Sequence, residues 1–260
     1  MNQLKFRLSK LVSTAYKASG KNLRAHNNHR ILTYHSVGDV EQNLFNNIYK
    51  IDKNLFKDHM MVVKKFFNKN IKDLERIKLT EPVLQPVLNI TFDDGYKDNL
   101  SIVAPIMNAL NLPFTVFVIT DFLKKEHKNF LNNEDLKELS TLPNVSIGSH
   151  SKSHSNLTRL NKNEIIDELK GSKSCIEDII GKKVTMFSYP HGGVNKTVRD
   201  LVESSDYKVA ANSHFDTNKR IRDEFMLKRN EIWSVDSIKI FTDKLGGNWD
   251  WLKYRNSFNQ

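Results

Sequence analysis

Val87-Leu88-Asn89-Ile90-Thr91-Phe92-Asp93-Asp94-Gly95-Tyr96 is a short apolar run that ends in two carboxylates and a glycine. Too short for a helix and closed by a turn residue, it predicts a buried strand. Adjacent carboxylates are costly to bury unpaired, and in a regular strand they face opposite ways. A turn at Gly95 brings both toward one site, where a nearby cation stabilises them. One then ligates a metal and the other accepts a proton. An ordinary acidic surface turn is the alternative for Asp-Asp-Gly taken alone.

Outward from this strand, short β-type runs alternate with helical patterns, the sign of an α/β chain with helical crossovers. The runs are Ile31 to His35, Val87 to Phe92, Phe114 to Ile119, Val145 to Ser149, Val184 to Tyr189 and Tyr207 to Ala211. Helical periodicity covers Leu55 to Phe67, Lys97 to Leu110 and Val194 to Ser204. Asn161-Lys162-Asn163-Glu164 reads as a capping box opening a helix that stops before Gly181. Tyr34-His35, Asp93-Asp94-Gly95, Ser149-His150 and Tyr189-Pro190-His191 each fall at the C-terminal end of a predicted strand. That is where α/β barrels assemble their sites, so these segments are expected to share one pocket.

At 260 residues, 39% hydrophobic and 27% charged, the chain suits one large folded domain rather than disorder. Its one cysteine, Cys175, rules out both an intrachain disulfide and a thiolate cluster, so a metal site must use His and carboxylate ligands. Ser149-His150-Ser151-Lys152-Ser153-His154 supplies histidines at i and i+4, which on a helical turn share one face. With a carboxylate from Asp93-Asp94 they make a His, His, carboxylate set that leaves positions open, as catalytic zinc requires; other first-row divalent ions fit the same donors.

Thr91-Phe92-Asp93-Asp94-Gly95 and His150-Ser151-Lys152-Ser153-His154 resemble the first two motifs of the polysaccharide deacetylases, carbohydrate esterase family 4 with NodB homology. The resemblance runs from about Ile31 to Trp251 and implies a distorted (β/α) barrel. It implies Asp93 as general base and Asp94, His150 and His154 as ligands of a divalent ion. Phe187-Ser188-Tyr189-Pro190-His191-Gly192 resembles the third motif but has Ser188 where an arginine is common and His191 for a tyrosine. Arg229 is the candidate substitute for that arginine. Tyr189, Pro190 and His191 are expected at the substrate or oxyanion side, through the His191 backbone N–H. No histidine follows His214 to act as general acid. Ile31-Leu32-Thr33-Tyr34-His35-Ser36-Val37 resembles the Tyr-His segment of a circularly permuted branch typified by deacetylases of biofilm poly-N-acetylglucosamine, which implies His35 as the acid. A strand-end histidine with a structural hydrogen bond is the alternative.

The expected activity is removal of an N-acetyl group from an acetamido sugar in cell-surface glycan synthesis, whether of lipopolysaccharide, capsule or exopolysaccharide. O-acetyl esterase or deformylase action, or glycan binding on a degenerate scaffold, are the alternatives. Trp249 and Trp251 are expected as packing anchors more than sugar platforms.

Residues 1–30 read as a basic arm ahead of a catalytic domain, 31–260. The arm has Lys5, Arg7, Lys10, Lys17, Lys21, Arg24 and Arg30 and no acid, while the whole chain carries +10. Leu4, Leu8, Leu11, Val12 and Ala15 recur at helical spacing. This fits an interfacial membrane anchor, a transit peptide or a helix packed on its own domain. No run approaches the ~18 to 20 apolar residues that span a bilayer, and no secretory signal is legible. A cytoplasmic place, with peripheral contact at the inner membrane face and a lipid-linked substrate, is therefore expected. Charge confined to the arm, without a recognition motif, argues against nucleic acid.

Overall fold

The computed structural model describes residues 2–20, 29–67, 70–76, 86–124, 127–218 and 223–258; part of the basic arm, with Lys21, Arg24 and His26, lies outside them. The chain opens with α1 (Gln3–Ala18) and β1 (His29–Tyr34), then β2 (Ser36–Gly38), β3 (Lys50–Asp52) and α2 (Lys53–Phe67). Strand and helix then alternate through β4 (Val87–Phe92), α3 (Ala104–Ala109), β5 (Phe114–Val118), α4 (Asn133–Thr141) and β6 (Val145–Ser149). After α5 (Lys162–Ile166) and α6 (Ser172–Ile180) come β7 (Met186–Ser188), α7 (Lys196–Ser204), β8 (Val209–Ala211), β9 (Asn230–Glu231) and α8 (Ile238–Leu245).

Seven of these strands form one sheet in the order β8-β7-β6-β5-β4-β1-β9, and neighbouring strands in it run parallel. Residues 224–231 close it into a distorted barrel. Ala210 donates to the Glu224 carbonyl, Leu227 to Ala210 and Asn212 to Leu227, after which Asn230 and Glu231 pair with Leu32 and Thr33 of β1. The α/β barrel architecture expected from the sequence is the one observed.

Alternation along the strands sorts side chains between two faces. Leu32, Tyr34, Ile90, Phe92, Val116, Val118 and Phe187 join the large cluster under the helices. Ile31, Phe117, Met186, Val209, Ala211 and Leu227, with Leu74, form a second cluster that fills the barrel. Gly148 is needed there, because a Cβ at that position would meet the Phe117 ring at 2.5 Å. The same alternation turns Thr91 and Asp93 inward, above this apolar plug.

Several boundaries move. The runs read as Val184 to Tyr189 and Tyr207 to Ala211 shorten to three-residue strands. The expected helix from Lys97 begins as a π turn, Asn99–Val103. The capping box at Asn161 is present, with Glu164 accepting from the Asn161 N–H at 2.8 Å, and the helical stretch ends at Gly181 in a left-handed conformation. Trp249 is buried as a packing anchor.

Candidate active site

The register Tyr34↔Phe92 brings the ends of β1 and β4 level, and Phe92↔Val116 with Val118↔Ser149 sets the ends of β5 and β6 two residues further on. The Asp93 N–H donates to the Tyr34 carbonyl at 2.9 Å, and the His150 N–H to Val118 at 2.8 Å. One residue further on, Asp94 and Gly95 both take φ of 72°. Aspartate tolerates this left-handed turn, which brings the second carboxylate round to the same side as the first.

Asp94, His150 and His154 meet there. Asp94 Oδ1 lies 3.5 Å from Nε2 of each histidine. Donors about 2.0–2.1 Å from one tetrahedral ion stand roughly 3.4 Å apart, so the three residues fit a first-row divalent metal. His150 Nδ1 donates to the Ser188 carbonyl at 2.8 Å, which leaves Nε2 as the ligand atom. Burial raises the Asp94 carboxyl to about 6 and lowers His150 to about 3 and His154 to about 4. A cation is the natural stabiliser of the anionic aspartate and neutral imidazoles in this place. The i, i+4 spacing of the histidines does not act through a helix, however. His150 follows a strand, and Ser151 and His154 have φ of 66° and 65°, so a tight loop, not a helical turn, aligns the rings.

Asp93 is held differently. Arg229 Nη1 donates to its Oδ1 at 2.8 Å and Nη2 to its Oδ2 at 2.7 Å, while Nη2 also reaches Ser188 Oγ at 2.8 Å. Burial pushes the Asp93 carboxyl up, but Arg229 and then His150 outweigh it and hold the group well below the usual carboxylate range. Arg229 thus fills the place that Ser188 leaves open. It enters from the seam that closes the barrel, and its Nε donates to the Asn212 carbonyl at 3.0 Å.

His35 completes the mouth. It lies within electrostatic reach of Asp94, Asp93 and His154. Its Nδ1 is buried without a hydrogen-bond partner among the described residues, which disfavours a purely structural hydrogen bond through that nitrogen. The ring lies 4.7 Å from that of Tyr49.

A sequence profile of the polysaccharide deacetylases matches residues 80–210, half of the chain. The chain belongs to the polysaccharide deacetylase family. The deacetylase is 28% identical over 203 residues to YxkH of Bacillus subtilis (strain 168), a protein named for this same family, covering 76% of this chain and 69% of YxkH. It is 28% identical over 162 residues to the peptidoglycan-N-acetylmuramic acid deacetylase PdaC of the same organism, covering 59% of this chain and 34% of PdaC. A crystal structure of a polysaccharide deacetylase from Bacillus cereus superposes with a TM-score of 0.73 at 24% identity, over 85% of this chain and 69% of that one.

In the deacetylase the third motif needs one correction. Tyr189 is fully buried, packs 5.3 Å from the Phe187 ring and donates its hydroxyl to the Phe225 carbonyl at 2.9 Å. Its side chain braces the barrel and does not face a substrate. Pro190 is buried at the start of a short turn. His191, in contrast, is exposed with φ of 57°, and its ring lies 4.5 Å from that of His154.

Three residues bearing on the site have no assigned role in the sequence reading. Burial, and then the Asp94 carboxylate nearby, raise the Tyr96 hydroxyl to about 12; its place directly after Asp93-Asp94-Gly95 was the available signal. Tyr49 stands beside His35 through a loop with no motif. Glu168, buried in the π turn Asp167–Gly171, accepts from the N–H groups of Lys152 and Ser153, each at 2.9 Å, and from Ser153 Oγ at 2.5 Å. It braces the loop between the two histidines.

Proposed function

We propose that this deacetylase removes the N-acetyl group from an acetamido sugar during synthesis of a cell-surface glycan, releasing acetate, with Asp94, His150 and His154 holding a divalent ion, zinc by donor type. The observation that carries this reading is the meeting of that ligand set, at metal spacing, with an ionised carboxylate that Arg229 keeps out of the ligand role. PdaC, by name, acts on an N-acetylated sugar, which supports the amide over an ester.

A divalent ion in this place supplies Lewis acidity to a water and to the acyl oxygen. Asp93, oriented by the Arg229 fork, accepts the proton of the attacking water. The His191 N–H faces the developing oxyanion. His35 protonates the departing sugar nitrogen, a role consistent with its electrostatic reach of both carboxylates. Arg229 here is a positioning residue, because it acts through Asp93. The domain that carries this chemistry begins with β1 at His29, two residues before the boundary expected at residue 31, and the segment ahead of it serves as an arm, at the cytoplasmic face of a membrane where a lipid-linked glycan is made.

Mass spectrometry of N-acetylhexosamine oligosaccharides and lipid-linked N-acetylhexosamines, incubated with the metal-loaded protein, tests the reading. Loss of an acetyl group with wild type and not with Asp93→Asn is expected. Release only from O-acetyl or N-formyl sugars would replace it with the esterase or deformylase reading. Binding of the panel without release would leave a glycan-binding protein.

A further inference from the structure

The leucines of α1 face away from the protein. The helix meets the rest of the chain through Phe6, Ser9, Ser13 and Tyr16, which share one face. Phe6 sits against Phe45 and Trp249, at 5.9 and 6.2 Å between centroids, and Trp251 Nε1 donates to Ser13 Oγ at 2.8 Å. Lys17 reaches to 3.8 Å from Asp243. On the other side Leu4, Leu8, Leu11 and Val12 are 67%, 53%, 69% and 44% exposed. A helix held by its own fold buries its aliphatic stripe. This one buries two serines and leaves a continuous apolar stripe outside, which calls for an occupant.

Charge selects the occupant. Lys5 borders the stripe on one flank and Arg7 and Lys10 lie on the other, with no acidic residue in the first thirty positions. Aliphatic side chains between cations match the acyl boundary and phosphates of an anionic leaflet. We propose that α1 seats the protein on an anionic lipid bilayer, with Leu4, Leu8, Leu11 and Val12 in the apolar boundary and Lys5, Arg7 and Lys10 at the lipid phosphates.

The docking contacts give this seat a direction. Phe45, under Phe6, lies four residues before Tyr49, which stands against His35. Trp249, the other contact of Phe6, meets Trp233, two residues past β9 at the C-terminal end of the sheet. The Phe6 half of the helix is therefore fixed beside the end of the barrel that holds the catalytic groups. A bilayer under α1 brings that mouth to the membrane surface, where the acetamido sugar is carried on a lipid. The choice of carrier rests on the deacetylase reading; the bilayer contact does not.

Co-sedimentation of the full chain with vesicles of phosphatidylglycerol and phosphatidylcholine, against phosphatidylcholine alone, reads the contact without turnover. Wild type is expected to bind the anionic vesicles selectively. Leu8→Glu/Leu11→Glu and Lys5→Gln/Arg7→Gln/Lys10→Gln each lose about tenfold or more in partitioning. Both sets are exposed, with Lys10 alone touching the docking face at 5.8 Å over the Phe6 ring, so melting temperature and turnover of a soluble substrate stay close to wild-type values. No binding by wild type, equal binding to both vesicles, or unchanged binding of the leucine variant would overturn the proposal. So would a wild-type dimer in light scattering that Leu8→Glu separates, since the stripe would then join two copies of the chain. Vesicle binding without deacetylation of any substrate would sink the enzymatic reading and leave this one standing.

Discussion

Two buried cation–carboxylate pairs flank β9, Arg229 with Asp93 before it and Lys244 with Asp236 after it, and they serve different ends. Lys244 Nζ donates to the Glu231 carbonyl at 2.9 Å and to Asp236 Oδ2 at 2.5 Å, and lies 3.7 Å over the Trp233 ring. Asp236 also accepts from the Trp233 N–H, and its carbonyl accepts from His59. These contacts tie α8 and α2 to the segment after β9, and none of them involves Asp93, Asp94, His150 or His154. Burial drives the Asp236 carboxyl up and the Lys244 ammonium down, with the partner opposing in each case. Arg229 instead spends its planar fork on a carboxylate that lies 3.8 Å from His150, beside the ligand set. A buried ion pair by itself therefore says little about function. What marks Asp93 is an open cluster of donors next to it.

Breaking each pair should give opposite phenotypes. Asp93→Asn is expected to reduce kcat by about 10³-fold while leaving zinc affinity, read by isothermal titration, near wild type. A loss of zinc affinity comparable to that of His150→Ala would make Asp93 a ligand instead of the base. Lys244→Met leaves Asp236 buried without its cation and should cost about 3–5 kcal/mol in chemical denaturation, with kcat per folded molecule retained. If kcat falls with stability unchanged, the second pair belongs to the site after all.

His35→Gln should lower kcat by about 10²-fold and spare metal affinity, and wild-type turnover would return the histidine to architecture. On the Lys244 side, burial lowers His59 to about 4, from 6.5 when unfolded. Below about pH 6.5 the unfolded chain takes up a proton that the folded ring refuses. The stability contributed by neutral His59 is thus complete above that pH and falls as pH drops toward about 4, by up to about 1.4 kcal/mol per pH unit. Urea midpoints across this range should show the slope, and His59→Gln should flatten it. Glu168→Gln, which weakens the brace under Lys152 and Ser153, is expected to raise the metal Kd about tenfold with little change in kcat at saturating metal.

Much of the site was legible before any coordinates. Asp93, Asp94, His150 and His154 lie in two short motifs at strand ends, and strand ends are visible in apolar runs of five or six residues. Arg229 could be named only as a candidate, because its bond to Asp93 spans more than a hundred residues and its own strand, Asn230–Glu231, is too short to carry a hydrophobic pattern. The i, i+4 spacing points to a pair of histidines on a helical turn, and the pair forms through a tight loop instead. Spacing reports distance along the chain, whereas the positive φ angles of Ser151 and His154 that align the rings are held by Glu168 from another element. Tyr189 failed for a related reason: its motif position pointed to the substrate, but its side chain faces the Phe187 core.

By itself the sequence determined which groups exist at the mouth and that alternating strands and helices would gather them, since local apolar patterning selects each element. It also set the charge and the leucine stripe of α1. Only the tertiary structure decided which cation meets which carboxylate, how Gly148 and Phe117 fill the barrel beneath them, and which face of α1 is turned outward. Each of those depends on contacts between segments far apart in the chain, and period and composition carry no record of the partner.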